Sequence, residues 1–219
     1  MKTPRKPERP VLWIVAGPNG SGKSSLYNRT DIEGWGGSVW IINPDLLTAK
    51  IVEQEGSAID LANLAAVQRI ESWLEASINT YQTIGVETVL SSPKYLRLVD
   101  LAHAKGFIVR MLYVVLDTVE AQYERVAIRV RTGGHDVPRD KIAARRTRSF
   151  EMLGEFFGKL DELFVFDNTT AEPKLIAEKL GPAFYCWDRI PLDMLSILRS
   201  HDVFIYEPKF PPNEDSSLG

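Results

Sequence analysis

The 219-residue chain is 44% hydrophobic and 25% charged, with 26 Lys+Arg against 29 Asp+Glu for a net charge of −3, which are globular proportions. That excludes a fibrous or wholly disordered chain, and the length suits one large α/β domain better than two cramped ones. A single cysteine, Cys186, supports neither an internal disulfide nor a cysteine-based zinc site, and His103, His135 and His201 lack metal-ligand spacing, so a reducing, cytoplasmic setting is expected.

Residues 1–10 are basic and proline-rich and read as a disordered start. The apolar run from Val11 to Ala16 (VLWIVA) is too short for a signal peptide and has the pattern of a strand buried on both faces. It leads into GPNGSGKS at residues 17–24, which satisfies G-x-x-x-x-G-K-[ST], the phosphate-binding loop. Glycines in such a loop let successive N–H groups converge on phosphate oxygens, and the following helix turns its positive end to the same charge. Gly17, Pro18, Asn19, Gly20, Ser21, Gly22, Lys23, Ser24 and Ser25 are therefore expected to hold ATP. Lys23 would reach the β and γ phosphates, and the Ser24 hydroxyl would ligate Mg²⁺.

A second strand is predicted at Val39 to Ile42, followed by Asp45 in IINPD. Asp45 can serve as a catalytic carboxylate at the ligand-binding end of the sheet, or simply cap the helix starting near Leu46. From Ser57 to Tyr81, the stripe Leu61, Leu64, Ile70, Trp73, Leu74, Ile78 and Tyr81 has helical spacing, and Ser57 with Asp60 resembles a capping pair. The run Val86 to Leu90 is a third strand whose Glu87 faces either an acceptor or solvent. Phe107 to Leu116 is a fourth, and Leu163 to Phe166 a fifth.

Asp117 and Asp167 each follow an apolar strand, as a metal-facing carboxylate would. For Asp117 the cap reading is preferred, because Glu120 three residues on completes it; that helix runs to about Arg131 and ends at Gly133-Gly134. Asp167 and Asn168 could instead line a base pocket. Pro138 suits the first turn of the next helix, with Ile142, Leu153, Phe156, Phe157 and Leu160 as its stripe. The domain is expected to cover 11–207, with a flexible tail over 208–219.

Apolar strands alternating with helices argue for an α/β fold of the P-loop NTPase class, kinase-like, with a mainly parallel sheet flanked by helices. A guanine-reading [NT]KxD motif and a transporter ATPase signature are both absent, so a kinase leads. A nucleotide-gated binding ATPase and a polynucleotide kinase stay open as alternatives. Between Arg125 and Arg148 eight Lys+Arg face only Asp136 and Asp140. Two basic helices around a glycine hinge make a plausible closing lid. The acidic remainder offers no extended basic track, which counts against nucleic acid as a partner, and no stretch nears the roughly 18 apolar residues of a membrane span.

AGPNGSGKSSL at Ala16 to Leu26, NPD at Asn43 to Asp45, ETVLSS at Glu87 to Ser92, and R-x-x-x-R-V-R-x-GGHDVP from Arg125 to Pro138 followed by RRTRS at Arg145 to Ser149 together resemble the zeta toxin family. The ordered set spans about 130 residues. The resemblance implies a P-loop kinase that phosphorylates the 3′-hydroxyl of the amino sugar in UDP-N-acetylglucosamine, and an antitoxin that blocks the ATP site. It implies that Lys23 and Ser24 hold ATP and Mg²⁺, that Asp45 is the base, and that Arg125 and Arg129 stabilise the transferred phosphoryl group. Glu87, Ser91, His135 and Arg145 fall to the acceptor side. Two departures bear on the acceptor: Ser91-Ser92 stand where the type toxins usually carry an arginine, and the lid reads GGHDVP.

Overall fold

The computed structural model describes residues 9–29, 39–132 and 137–206. The expected disordered start, the Gly133-Gly134 hinge, His135 and the tail lie outside the described residues, apart from Arg9 and Pro10. A single eight-stranded sheet runs in the order β2-β3-β1-β4-β5-β6-β7-β8. Its first five members, β2 (Ile41–Ile42), β3 (Ile84–Thr88), β1 (Val11–Ala16), β4 (Ile108–Val115) and β5 (Glu162–Asp167), are parallel. Beyond them β6 (Lys174–Leu180) and β7 (Ala183–Cys186) are antiparallel additions, and β8 (Ile205–Tyr206) pairs parallel to β7.

Because β1 lies between β3 and β4, the chain leaves β1 at the point where strand order reverses, the place where open α/β sheets bind ligands. All six residues of β1 are buried. Leu12, Ile14 and Ala16 join the main core, to which α3 (Ile59–Asn79), α4 (Leu96–Ala104), α6 (Arg139–Phe157) and α7 (Leu192–Ser200) contribute Ile70, Val99, Phe150 and Met194. Val11, Trp13 and Val15 point to the other face, where Tyr27 of α1 (Lys23–Arg29) packs among the described residues.

Helix α3 buries Ile70, Leu74 and Ile78 as expected but differs from the expected stripe in its first turns. Its inward residues are Ala62, Ala66, Ile70, Leu74 and Ile78, whereas Leu61 and Leu64 are 64% and 58% exposed. The two alanines let α3 approach Ile51 of α2 (Pro44–Glu55) closely, and bulk at those positions would hold the helices apart. Neither predicted capping pair, Ser57 with Asp60 or Asp117 with Glu120, forms. Ala58 precedes α3 without a side-chain cap, and at α5 (Val119–Arg131) the cap is Thr118, whose hydroxyl accepts from the Ala121 N–H, so Asp117 is free of that role. Pro138 is the residue just before α6 rather than inside its first turn. Among the described residues no helix is long and apolar enough to cross a membrane.

Candidate active site

The C-terminal ends of β1, β2 and β3 bring the glycine loop, Lys23, Ser24, Asn43 and Glu87 together. Gly17 follows β1 at φ 142°, and a Cβ there would lie 2.1 Å from the Val114 carbonyl oxygen of β4, so the loop hugs the sheet only as glycine. Lys23 folds back over the loop, its Nζ donating to the carbonyls of Gly17 (2.9 Å) and Pro18 (3.2 Å). Burial pushes this ammonium below its usual pKa. Glu87 and Asp45 oppose the shift and Arg129 adds to it, so all three charges reach Lys23.

Asn43 ties the start of α2 to β3. Its Oδ1 caps α2 by accepting from the N–H groups of Asp45 (2.9 Å) and Leu46 (3.2 Å). Meanwhile its Nδ2 donates to Glu87 Oε2 at 2.9 Å. That same oxygen accepts from Ser24 Oγ (2.8 Å) and Tyr27 OH (3.0 Å). Burial, opposed in part by its hydrogen bond from Asn43, raises the half-buried Tyr27 phenol pKa, and Glu87 adds to the rise. With Asn43 as cap, Asp45 sits one residue into the helix with its side chain exposed, so the capping alternative for Asp45 does not hold. The carboxylate that meets Ser24 comes from β3, not from the strand ends carrying Asp117 or Asp167. Asp167 instead accepts from the N–H and hydroxyl of Thr169.

Helices α5 and α6 brace the loop from the opposite side. Arg125 donates to the carbonyls of Asn168 (2.5 Å) and Thr169 (3.4 Å), and Asn168 Nδ2 donates to Ser21 O at 2.8 Å. A Cβ on Gly22, whose φ is 89°, would fall 2.1 Å from that Asn168 nitrogen and 3.3 Å from Arg125 Nη1. Gln122 Nε2 donates to Asn19 O (2.7 Å), and Arg145 Nη1 to Asn19 Oδ1 (3.4 Å).

Of the eight basic residues assigned to a lid, Arg146 is not surface charge at all. It is 2% exposed and bound to Asp193, Gln122 and the carbonyls of Leu116 and Asp117. Ser91 lies half-buried beyond β3, next to Leu90, which is buried at φ 55°. His135 falls outside the described residues. Sequence reasoning missed Asn43, Gln122 and the brace from Asn168 to Ser21. Only Asn43 carried a signal, an Asn-Pro pair of the kind that opens helices.

The sequence model of the Zeta toxin family matches residues 1–179. An uncharacterized protein of Haemophilus influenzae is 26% identical over 146 residues, 63% of this chain and 98% of that one. Among solved structures, a chain of the PezAT chromosomal toxin-antitoxin system of Streptococcus pneumoniae superposes with a TM-score of 0.59 at 13% identity, covering 91% of this chain and 88% of that chain. The AvrRxo1-ORF1:-ORF2 structure with ATP gives a TM-score of 0.61 at 18% identity over 81% of this chain and 60% of its counterpart. Both structural likenesses bear on the fold.

Proposed function

The chain belongs to the zeta toxin family, and on that premise we propose that it transfers the γ-phosphoryl group of ATP to a hydroxyl of a small acceptor, a nucleotide sugar of the UDP-N-acetylglucosamine kind. The observation that carries this reading is the meeting of Ser24, Glu87, Asn43 and the Asp45 charge around Lys23 at one loop. In this reading the loop from Gly17 to Ser25 cradles the phosphates, and Lys23 exchanges its carbonyl partners for the β and γ oxygens. Ser24 and Glu87, hard oxygen donors 2.8 Å apart, suit Mg²⁺. Bound there, the metal would neutralise charge on the phosphates.

Asp45 takes the proton of the acceptor hydroxyl. Glu87 stands between Ser24 and the acceptor, with Ser91 beyond it. Arg125, Arg129 and Arg145 meet the charge that develops on the transferring group, and His135 is assigned to the acceptor by the family resemblance alone. A single catalytic domain over 11–207, a cytoplasmic location and an antitoxin partner complete the proposal. Its test is mass spectrometry of nucleotide sugars, nucleosides and oligonucleotides incubated with the protein, ATP and Mg²⁺. A protein-dependent gain of one phosphoryl group on a nucleotide sugar is expected. ATP hydrolysis without any phosphorylated acceptor would rule the reading out in favour of a nucleotide-gated ATPase.

The close fit at Gly22 gives a second expected result. Gly22→Ala adds a methyl group that strains a backbone at φ 89° and displaces Asn168 from Ser21. ATP affinity should fall about tenfold or more, as one buried loop hydrogen bond is lost and the cradle reshaped. Titration calorimetry checks this, and wild-type affinity would show that the Asn168 brace is dispensable.

A further inference from the structure

A chain of polar contacts, buried at Gln122 and Arg146, runs from the phosphate-binding loop to a helix outside the family-matched segment. Asn19 O in the loop accepts from Gln122 Nε2 at 2.7 Å, and Gln122 Oε1 accepts from Arg146 Nη1 at 2.8 Å. Both ends of the Gln122 amide are thereby used, which fixes its orientation, and the residue is 0% exposed. Arg146 in turn grips Asp193 with two parallel bonds, Nε to Oδ2 at 2.6 Å and Nη2 to Oδ1 at 3.0 Å. Its remaining donors hold the Leu116 and Asp117 carbonyls just past β4. Phe150 lies under the guanidinium, 4.8 Å from its centre. Asp193 belongs to the first turn of α7, whereas the family match ends at residue 179.

We propose that Gln122 and Arg146 are positioning residues for the phosphate-binding loop, and that α7 sets them through Asp193. The inference rests on the nucleotide-binding function proposed above. A bidentate arginine–carboxylate pair has a defined plane, so α7 dictates where the Arg146 fork lies. That fork dictates the Gln122 amide, and the amide fixes the carbonyl of Asn19 in the turn between Gly17 and Gly22. Tilting that peptide would turn the neighbouring N–H groups away from the phosphates they are shaped to meet.

Gln122→Glu separates positioning from folding. The new carboxylate keeps an acceptor for Arg146, with added charge attraction, but sets an oxygen where a donor faced the Asn19 carbonyl. The ATP dissociation constant is expected to rise about tenfold as the Asn19 peptide leaves its phosphate-binding pose, while the lost hydrogen bond lowers the melting temperature by only a few degrees and KM for the acceptor does not rise. Asp193→Asn, at a half-exposed position, should weaken ATP binding about threefold by softening the grip on Arg146, with no further loss in the Gln122→Glu background because both act along one chain. A folded Gln122→Glu protein that binds ATP as wild type does overturns the proposal. So does full additivity of the two substitutions. If Gln122→Glu does not fold, Asp193→Asn decides alone: unchanged ATP affinity overturns the proposal. Wild-type protein that binds no nucleotide overturns this inference together with the function beneath it, whereas wild-type binding with an unaffected Gln122→Glu variant sinks only the inference.

Discussion

Replacing Asp45 by asparagine is expected to lower the turnover number about 10²- to 10⁴-fold, the range for removing a positioned general base, while ATP affinity stays near wild type. Asn43, not Asp45, caps α2, so the substitution removes no structural hydrogen bond from the helix start. What is lost to stability is the attraction of a first-turn carboxylate for the helix dipole, about 0.3–1 kcal/mol, or a few degrees of melting temperature at most in a domain of this size. Lys23→Ala should differ in kind: it removes the cation that reaches the phosphates, so nucleotide affinity and turnover fall together. Single-turnover phosphotransfer beside calorimetric ATP binding distinguishes the two. An Asp45→Asn protein with undiminished turnover would mean that the acceptor proton leaves by another route.

Arg146→Ala should be the most damaging change to the fold itself, at about 3–5 kcal/mol, from two stranded buried acceptors at about 1–3 kcal/mol each and the cavity left behind. Truncation strands the buried Gln122 oxygen and the Leu116 carbonyl, and it opens space beside Phe150. Asp193 suffers less, because its side chain is half-exposed and water can replace the arginine. A drop in melting temperature of about 6 to 20 °C follows for a domain of this size. Arg148, two residues on and exposed, is the control: Arg148→Ala should melt with wild type. Thermal denaturation of both variants is the measurement, and equal melting points would contradict the hub assigned to Arg146.

How far the fold could be read beforehand depended on whether apolar residues marked it. Strands β1, β3, β4 and β5 are near-continuous apolar runs and were legible within about two residues. Strand β6 was not. Its sequence KLIAEKL includes Lys179, which is buried with its ammonium on the Leu160 carbonyl, so its charge disguised an inward position. Helix α3 misled differently, since leucines weigh more than alanines in a periodicity argument although close helix contact selects the alanines. In the site, the glycine loop was legible because phosphate binding imposes its spacing. Gln122 and the bracing role of Asn168 were not, because a buried amide that braces a loop from 103 or 147 residues away leaves no local pattern. Arg146 was counted as surface charge for the same reason.

The arrangement around β1 has a consequence for the order in which the protein is made. Synthesis delivers the GPNGSGKS segment ahead of β3 and β4, and until they follow β1 lacks the two strands it pairs with. The residues that hold the loop in shape come later still, at Gln122, Arg145 and Asn168, with Asp193 last. Pairings this distant in sequence form slowly and late. A chain that has reached only β1 and its loop therefore displays the motif without owning the cradle. Under the function proposed above, phosphotransfer waits for Asn168 and Asp193, and an inhibitor has that interval in which to arrive.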